Sequence, residues 1–423
     1  MILSKQWQLF KERFLLNEVA FESADLFKQR IQPRTIITDV KIVQPFSEVG
    51  ELEKLLLGKP GQFYARQGMT AENIFGHQLV EAEAGYVHEK NQNPHDVLSA
   101  NLFPSGMSAI ESLIRYMIRD IPHNKRAKLS FLQANTLYYN SSIALSQIAS
   151  QDFGINPAIK VDITNPSEIE KKLQQNKGKI IAIFYETVSN PLMEYANTKI
   201  IAQIAKKYNV PVIVDNTFLT PYLLQPFSMG ADFVVHSLTK YANGYCDSLG
   251  GAVIGPKEEM IKLRDLQRTT GAVMQSPEII GNFSHRFAQL PNRMDKHILY
   301  AQSFNDFLIS MDKYIENVNF PQLTDSRYNS PGAVMSFVLN GNSDEEKKLH
   351  EARLMQYLIQ HPDGPIKYQV SLGEEKHLMF GESTYGKNTA MPPGLVRFAV
   401  GRNPSARNCF DFLRNAFGYS FKK

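Results

Sequence analysis

Cysteine is scarce here: 423 residues carry two, Cys246 and Cys409. Two thiols do not make a disulfide framework, which predicts a reducing compartment and a cytoplasmic address. Charge of one sign is scarce as well. The 46 Lys and Arg residues stand against 42 Asp and Glu, for a formal charge of +4, and no basic cluster offers a phosphate-backbone footprint, so nucleic acid is not an expected partner. No stretch approaches the roughly 20 apolar residues of a membrane span. The opening MILSKQWQLFKERFLL has charges spread through it, where a secretory signal has an uninterrupted apolar run. The ten histidines show no HxxxH or Cys-His ligand spacing, so no metal site is expected. With 43% apolar and 21% charged residues, what remains is an ordinary globular chain, long enough to split into two packed domains.

The pattern changes along the chain. Residues 1–60 mix an amphipathic stretch, Trp7–Phe21, with breaks at Pro33 and Pro45, and read as an arm with a lead-in helix. From about Asn73 to Gly255 helix and strand alternate. Ser108–Ile118 has helical periodicity after a Pro104-Ser105-Gly106 turn, and Ile180–Tyr185 reads as a short buried strand. Asn197–Tyr208 reads as a helix with Ile200, Ile201 and Ile204 on one side, followed by a strand at Val210–Val214. Such alternation predicts an α/β domain whose mostly parallel sheet is covered by helices on both faces. Beyond Pro277 a long helical stretch, Glu278–Met311, precedes a strand at Val334–Leu339 and a last helix near Ala406–Ala416, which predicts a smaller α+β unit.

Chemistry concentrates around Lys240. The segment DFVVHSLTKYANGYCDSLGG places Ser237 and Thr239 directly before that lysine, and the run VPVIVD ends at Asp215, 25 residues upstream. A lysine amine can form a Schiff base with an aldehyde, an acid can keep a pyridine nitrogen protonated, and hydroxyls can bind a phosphate. Those are the three attachments that pyridoxal 5'-phosphate (PLP) requires. Alone, each is more often a solvated strand end. Together, at the carboxyl ends of consecutive strands, they mark the edge where open α/β sheets bind ligands.

Asp215-Asn216-Thr217 followed by HSLTKYANGYCDSLGG resembles the Cys/Met-metabolism family of PLP-dependent enzymes, and further motifs follow in the family's order from Tyr64 to Arg397. The resemblance implies the PLP-dependent transferase fold type I (aminotransferase-like). It further implies an N-terminal arm over 1–72, a large PLP-binding domain over 73–276 and a C-terminal domain over 277–423. It implies Lys240 as the Schiff-base and catalytic lysine, Asp215 as partner of the pyridinium nitrogen, and Ser237 and Thr239 as phosphate hydroxyls. Gly106 and Met107 in LFPSGMSA would meet the phosphate through backbone N–H groups at a helix N-terminus. Tyr64 and Arg66 match a Tyr-x-Arg pair that reaches the phosphate of a neighbouring subunit, implying a homo-oligomer: a dimer with shared sites, assembled as a tetramer. Tyr138 aligns with the tyrosine stacked on the ring, with a catalytic role as well. Asn190, in ETVSNP, would bind near the cofactor and the substrate, while Ser371 and Arg397 complete the substrate site. An arginine in so apolar a strand is costly without an anion, which a substrate carboxylate supplies better than a structural ion pair.

Departures from the family pattern gather away from the cofactor. Gly68-Met69 replaces an Asn-Pro pair, Tyr139-Asn140 replaces two small residues, and Tyr245-Cys246 stands where relatives carry His-x. The resemblance implies an amino-acid substrate and γ-replacement on an activated homoserine, in the manner of cystathionine γ-synthases. The alternatives are a cystathionine γ- or β-lyase or related C–S lyase, or a homoserine-ester sulfhydrylase. A PLP-binding regulator or inactive homologue is the non-enzyme alternative.

Overall fold

The computed structural model describes residues 65–84, 93–274, 277–323, 326, 329–381 and 391–422. Tyr64 and most of the proposed arm lie outside them. Among the described residues, twelve strands form two sheets. The first contains β1 (Leu98–Phe103), β2 (Ser130–Ala134), β3 (Ile159–Val161), β4 (Ile180–Glu186), β5 (Val212–Asp215), β6 (Phe233–Ser237) and β7 (Gly251–Pro256). Its order is β1-β7-β6-β5-β4-β2-β3. The strands from β3 across to β6 are parallel neighbours, and β7 alone runs against both of its partners. The second sheet contains β8 (Ile315–Asn319), β9 (Val334–Leu339), β10 (Ile366–Tyr368), β11 (His377–Gly381) and β12 (Leu395–Ala399), in the order β10-β11-β12-β9-β8.

Nine helices of ten or more residues are described: α1 (Thr70–Glu83), α2 (Gly106–Arg119), α3 (Pro166–Gln175), α4 (Thr198–Lys207), α5 (Lys257–Thr270), α6 (Pro277–Ala288), α7 (Leu290–Ile309), α8 (Asp344–Gln360) and α9 (Phe410–Ser420). Among the described residues no helix is long and apolar enough to cross a membrane.

The central strands follow the expectation for a sheet covered twice: Ala182–Tyr185 and Val212–Val214 are buried without alternation. Strand β5 begins two residues later than the pattern predicts and runs on to include Asp215. Helix α2 starts at Gly106 because the Ser105 side chain accepts the Ser108 N–H at 3.1 Å, and Asn197 caps α4 in the same way through Ile200. In α4, Ile201 and Ile204 are buried, but Ile200 is exposed. At about 100° per residue Ile200 turns away from the face that Ile201, Ala205 and Thr198 share.

The expected long helix over Glu278–Met311 is broken into α6 and α7. Pro291 occupies the first turn of α7, where its missing N–H costs nothing, and the chain bends at Gln289 before it. The last helix is likewise divided, a 3₁₀ turn at Ala406–Cys409 leading into α9.

Candidate functional site

Strands β4, β5 and β6 are paired so that Glu186 lies opposite Asp215 and Asp215 opposite Val235. Glu186, Asp215 and Ser237 therefore emerge together at the carboxyl edge of the sheet. The Asp215 carboxylate accepts the Thr217 N–H at 2.9 Å and the Thr217 hydroxyl at 2.5 Å, and the Thr217 oxygen accepts the Ser237 N–H at 2.8 Å. One threonine thus ties the acid of β5 to the end of β6. Glu186, buried, accepts the N–H groups of Tyr138 (2.6 Å) and Asn190 (3.1 Å). Burial pushes both carboxyls above the ordinary carboxylate range, and for Glu186 the neighbouring Asp215 charge adds to the rise. The Thr217 donors pull Asp215 the other way without cancelling the effect of burial.

The start of α2 closes on the same edge. A Cβ on Gly106 would sit 2.9 Å from the Ser237 Cβ, and one on Gly251 would sit 2.1 Å from the Ser105 carbonyl oxygen. Glycine at both positions lets the N-terminus of α2, Ser237 and the first residue of β7 converge, with Met107 one residue into the helix. Thr239 differs from its expected partner Ser237. Its hydroxyl accepts the Gly250 N–H at 3.1 Å and donates to the Gly250 carbonyl at 3.4 Å, so in this structure it braces the loop that enters β7.

Lys240 follows in the turn after β6, and residues from the second sheet reach it. Its Nζ donates to Ser371 Oγ at 2.8 Å. Arg397, buried on β12, donates from Nη2 to the Ser371 carbonyl at 3.4 Å and from Nη1 to Asn190 Oδ1 at 3.2 Å. Lys240, Ser371, Arg397 and Asn190 are therefore brought together from four separated segments. Burial holds the Lys240 amine below its ordinary pKa; the Arg397 charge adds to this and the Cys246 thiolate form would oppose it. The turn carrying Ser371 presses against the lysine backbone: Gly373 has φ +84°, and a Cβ there would meet the Tyr241 nitrogen at 2.6 Å. Glycine is required there on both counts.

Tyr138 is exposed in the single chain, held by its N–H to Glu186, and its hydroxyl accepts from Asn140 at 3.1 Å. Arg66 lies on a short 3₁₀ turn, Ala65–Gln67, exposed, and donates to the Arg268 carbonyl at 3.1 Å.

Several residues that hold this site carry no motif signal. Arg293, buried on α7, donates to the carbonyls of Tyr241 (2.8 Å), Ala242 (3.0 Å) and Arg286 (2.5 Å), clamping the turn just past Lys240. Burial lowers its pKa to about 10, with the Arg402 charge acting in the same direction. Gly244 must lack a side chain because a Cβ would lie 2.4 Å from Arg293 Nε. The Tyr245 ring is stacked between the guanidinium groups of Arg286 (4.5 Å) and Arg402 (4.8 Å), and Arg286 grips Asp247 with two bonds of 2.6 and 3.0 Å. On the opposite face of the sheet, Glu83 of α1 accepts from Asn216 at 3.2 Å and meets His236 Nε2 at 2.6 Å, all three buried. Among the described residues no group of three or more His, Cys, Asp or Glu side chains could hold a metal ion.

The chain is similar to known proteins. A family model described as "Cys/Met metabolism PLP-dependent enzyme" matches residues 59–406. Over 361 residues the chain is 29% identical to L-methionine gamma-lyase of Pseudomonas putida, covering 81% of each. It is 30% identical over 354 residues to cystathionine gamma-synthase of Haemophilus influenzae, covering 79% of this chain and 89% of that one. The fold is that of cystathionine gamma synthase from Xanthomonas oryzae pv. oryzae, solved in complex with cystathionine. The TM-score is 0.74 and the identity 24%, over 90% of this chain and 92% of that one.

Proposed function

This chain belongs to the Cys/Met-metabolism family of PLP-dependent enzymes, and from that premise we propose that it performs γ-replacement on an activated homoserine, with cysteine as the incoming thiol. The observation that carries the reading is the meeting at Ser371. Its hydroxyl receives the Lys240 amine and its carbonyl receives the Arg397 guanidinium. A desolvated amine able to move protons and a fork able to grip a carboxylate then face one amino acid at the same time.

The residues fit PLP. Asp215 is a half-buried carboxyl that accepts from the Thr217 donors and is raised by desolvation, so a cationic ring nitrogen is the neighbour from which it gains most. Gly106 and Met107 open a 14-residue helix with Ser237 alongside, a place for a phosphate dianion. When bound, PLP supplies an electron sink for the bond-breaking at the substrate's α-carbon.

Everything else falls to the chain's own side chains. Lys240 would hold the cofactor through its amine, and the same amine is placed to take the substrate's α-proton and relay it. Burial lowers its pKa, which favours the neutral amine that proton transfer requires. Arg397 and Asn190 would hold the α-carboxylate, Tyr138 would cover the ring of a bound cofactor, and Asp215 would keep its ring nitrogen protonated. Ser237 binds the phosphate; Thr239 does so only by turning from Gly250.

Tyr64 and Arg66 of one subunit would complete the phosphate site of another, in a dimer assembled further as a tetramer. The exposure of Arg66 supports that role. Residues 73–276 would form the PLP-binding domain and 277–423 the domain closing over the substrate; the two separate sheets support the division. Two free thiols, Cys246 and Cys409, support a cytoplasmic location.

A second reading, elimination from a thioether, is favoured by the likeness to a methionine gamma-lyase. Borohydride reduction and peptide mapping should place a pyridoxyl group on Lys240; attachment at another lysine overturns the assignment. A panel of homoserine esters and thioethers then separates the two reactions. Replacement predicts a thioether product with cysteine present and little 2-oxo acid, whereas 2-oxo acid release indifferent to cysteine identifies a lyase.

A further inference from the structure

Lys240 does not meet Ser371 alone. The Cys246 sulfur lies 3.6 Å from Ser371 Oγ, and its thiol donates to the Leu372 carbonyl at 3.5 Å. Each of these groups owns a single proton to give, apart from the lysine. With the thiol proton directed to the acceptors beside it, the Leu372 carbonyl and the Glu374 carboxylate, the Ser371 hydroxyl donates to the sulfur, and its oxygen accepts from Lys240. The direction of the chain matters. A serine hydroxyl free to rotate can instead donate to the lysine lone pair, the pair that must accept the substrate's α-proton.

The backbone is arranged to make this contact. Cys246 has φ +55° and Ser371 φ +89°, both left-handed conformations that cost non-glycine residues energy, and they face each other across the junction of two distant turns. We propose that Cys246 is a positioning residue that acts through Ser371, fixing the hydroxyl so that the Lys240 amine presents its lone pair to the substrate. Burial pushes the Cys246 thiol up, which keeps it an S–H donor. The other charged groups facing this chain are Arg397 beside Lys240 and Glu374 beside Cys246. The inference rests on Lys240 as the cofactor-bearing amine, the assignment made above.

A double-mutant cycle on the holoenzyme tests it. Cys246→Ala should lower kcat/KM about fivefold, as for one neutral hydrogen bond, and Cys246→Ser, which keeps one donor and an acceptor, should recover most of the loss. On a Ser371→Ala background the Cys246→Ala change should cost less than about twofold, because the intermediary is already gone. A second readout uses no turnover: the pH midpoint for PLP uptake by the apoprotein, which follows the free amine. That midpoint should fall in Cys246→Ala, since a misdirected hydroxyl no longer supports the charged form. Equal losses on both backgrounds, a harmless Cys246→Ala, no rescue by serine, or an unmoved midpoint would each overturn the proposal. If the pyridoxyl group maps elsewhere than Lys240, the assignment beneath it fails instead.

Discussion

Two acids, Glu83 buried and Asp215 half-buried, lie on opposite faces of the same sheet, and their surroundings differ. On one face Glu83 is met by a histidine and an amide, His236 and Asn216. On the other, Asp215 is held only by Thr217, beside a second carboxyl, Glu186. The first cluster is bonded through Glu83 Oε1 to side chains of the chain itself, with Glu83 Oε2 left over among the described residues, and its effect is to fasten the end of α1 to β6. In the second, burial raises both carboxyls above their usual range; the Asp215 charge adds to the rise of Glu186, and the Thr217 donors and the His236 charge only partly offset that of Asp215. Glu83 joins two elements of the fold, while Asp215, on the function proposed above, is the acid whose deficit a cationic ring nitrogen would fill.

That contrast can be broken most severely at Asp215. Asp215→Asn should lower kcat/KM by roughly two to four powers of ten, the cost of removing one partner of a buried ion pair at about 3–5 kcal/mol. The melting temperature of the PLP-free protein should not fall. A folded acid with a raised pKa holds a proton that the unfolded chain releases, so the PLP-free chain should lose stability as pH climbs above about 4. Asp215→Asn should flatten that decline, which urea unfolding at a series of pH values would measure. A variant equally pH-sensitive would show that Asp215 does not carry the deficit.

The converse change belongs to the other face. Glu83→Gln should destabilise the fold by about 3 kcal/mol, within the usual range for a broken buried pair, while the protein that remains folded keeps most of its PLP affinity. If the variant melted like the parent but lost PLP, the two faces would have exchanged roles. A smaller effect is expected at Arg397. Arg397→Lys keeps the charge and loses the fork, so KM should rise and kcat/KM should fall by about one to two powers of ten, with PLP retained. Binding of amino acids equal to the parent's would make this arginine structural. Smallest of all, Tyr245→Leu removes a ring stacked between Arg286 and Arg402. It should cost about 0.5–1 kcal/mol per cation–π contact, visible as a lower denaturant midpoint with unchanged substrate preference.

What could be read in advance was what lies close along the chain. The edge formed by Asp215, Ser237 and Lys240 follows from short strands ending at polar residues, and capped helices such as α2 and α4 follow from Ser105 and Asn197. Ile200 misled because three isoleucines within five residues suggest one face, when a helix turns the first of them outward. The break at Gln289 was signalled by Pro291, which a search for apolar periodicity alone passes over. The Glu83–His236 and Arg397–Asn190 contacts join residues 153 and 207 positions apart, and no local pattern encodes such a meeting. Arg293 was equally hidden, since an arginine binding three carbonyls looks in sequence like any other helix arginine. Cys246 counted only as a departure until its sulfur was found beside Ser371.

The topology of the first sheet also bears on how the protein is made. Strand β1 has one neighbour, β7, which leaves the ribosome about 150 residues after it, a wait on the order of 10–30 s at ordinary synthesis rates. Until then β1 is an unpaired edge open to mispairing with other nascent chains. The place where α2 meets Ser237 and Gly251 does not exist before that strand arrives. If that junction holds the phosphate, as proposed above, vitamin capture follows the arrival of β7, and the newborn chain passes through synthesis without the stabilisation that its cofactor later provides.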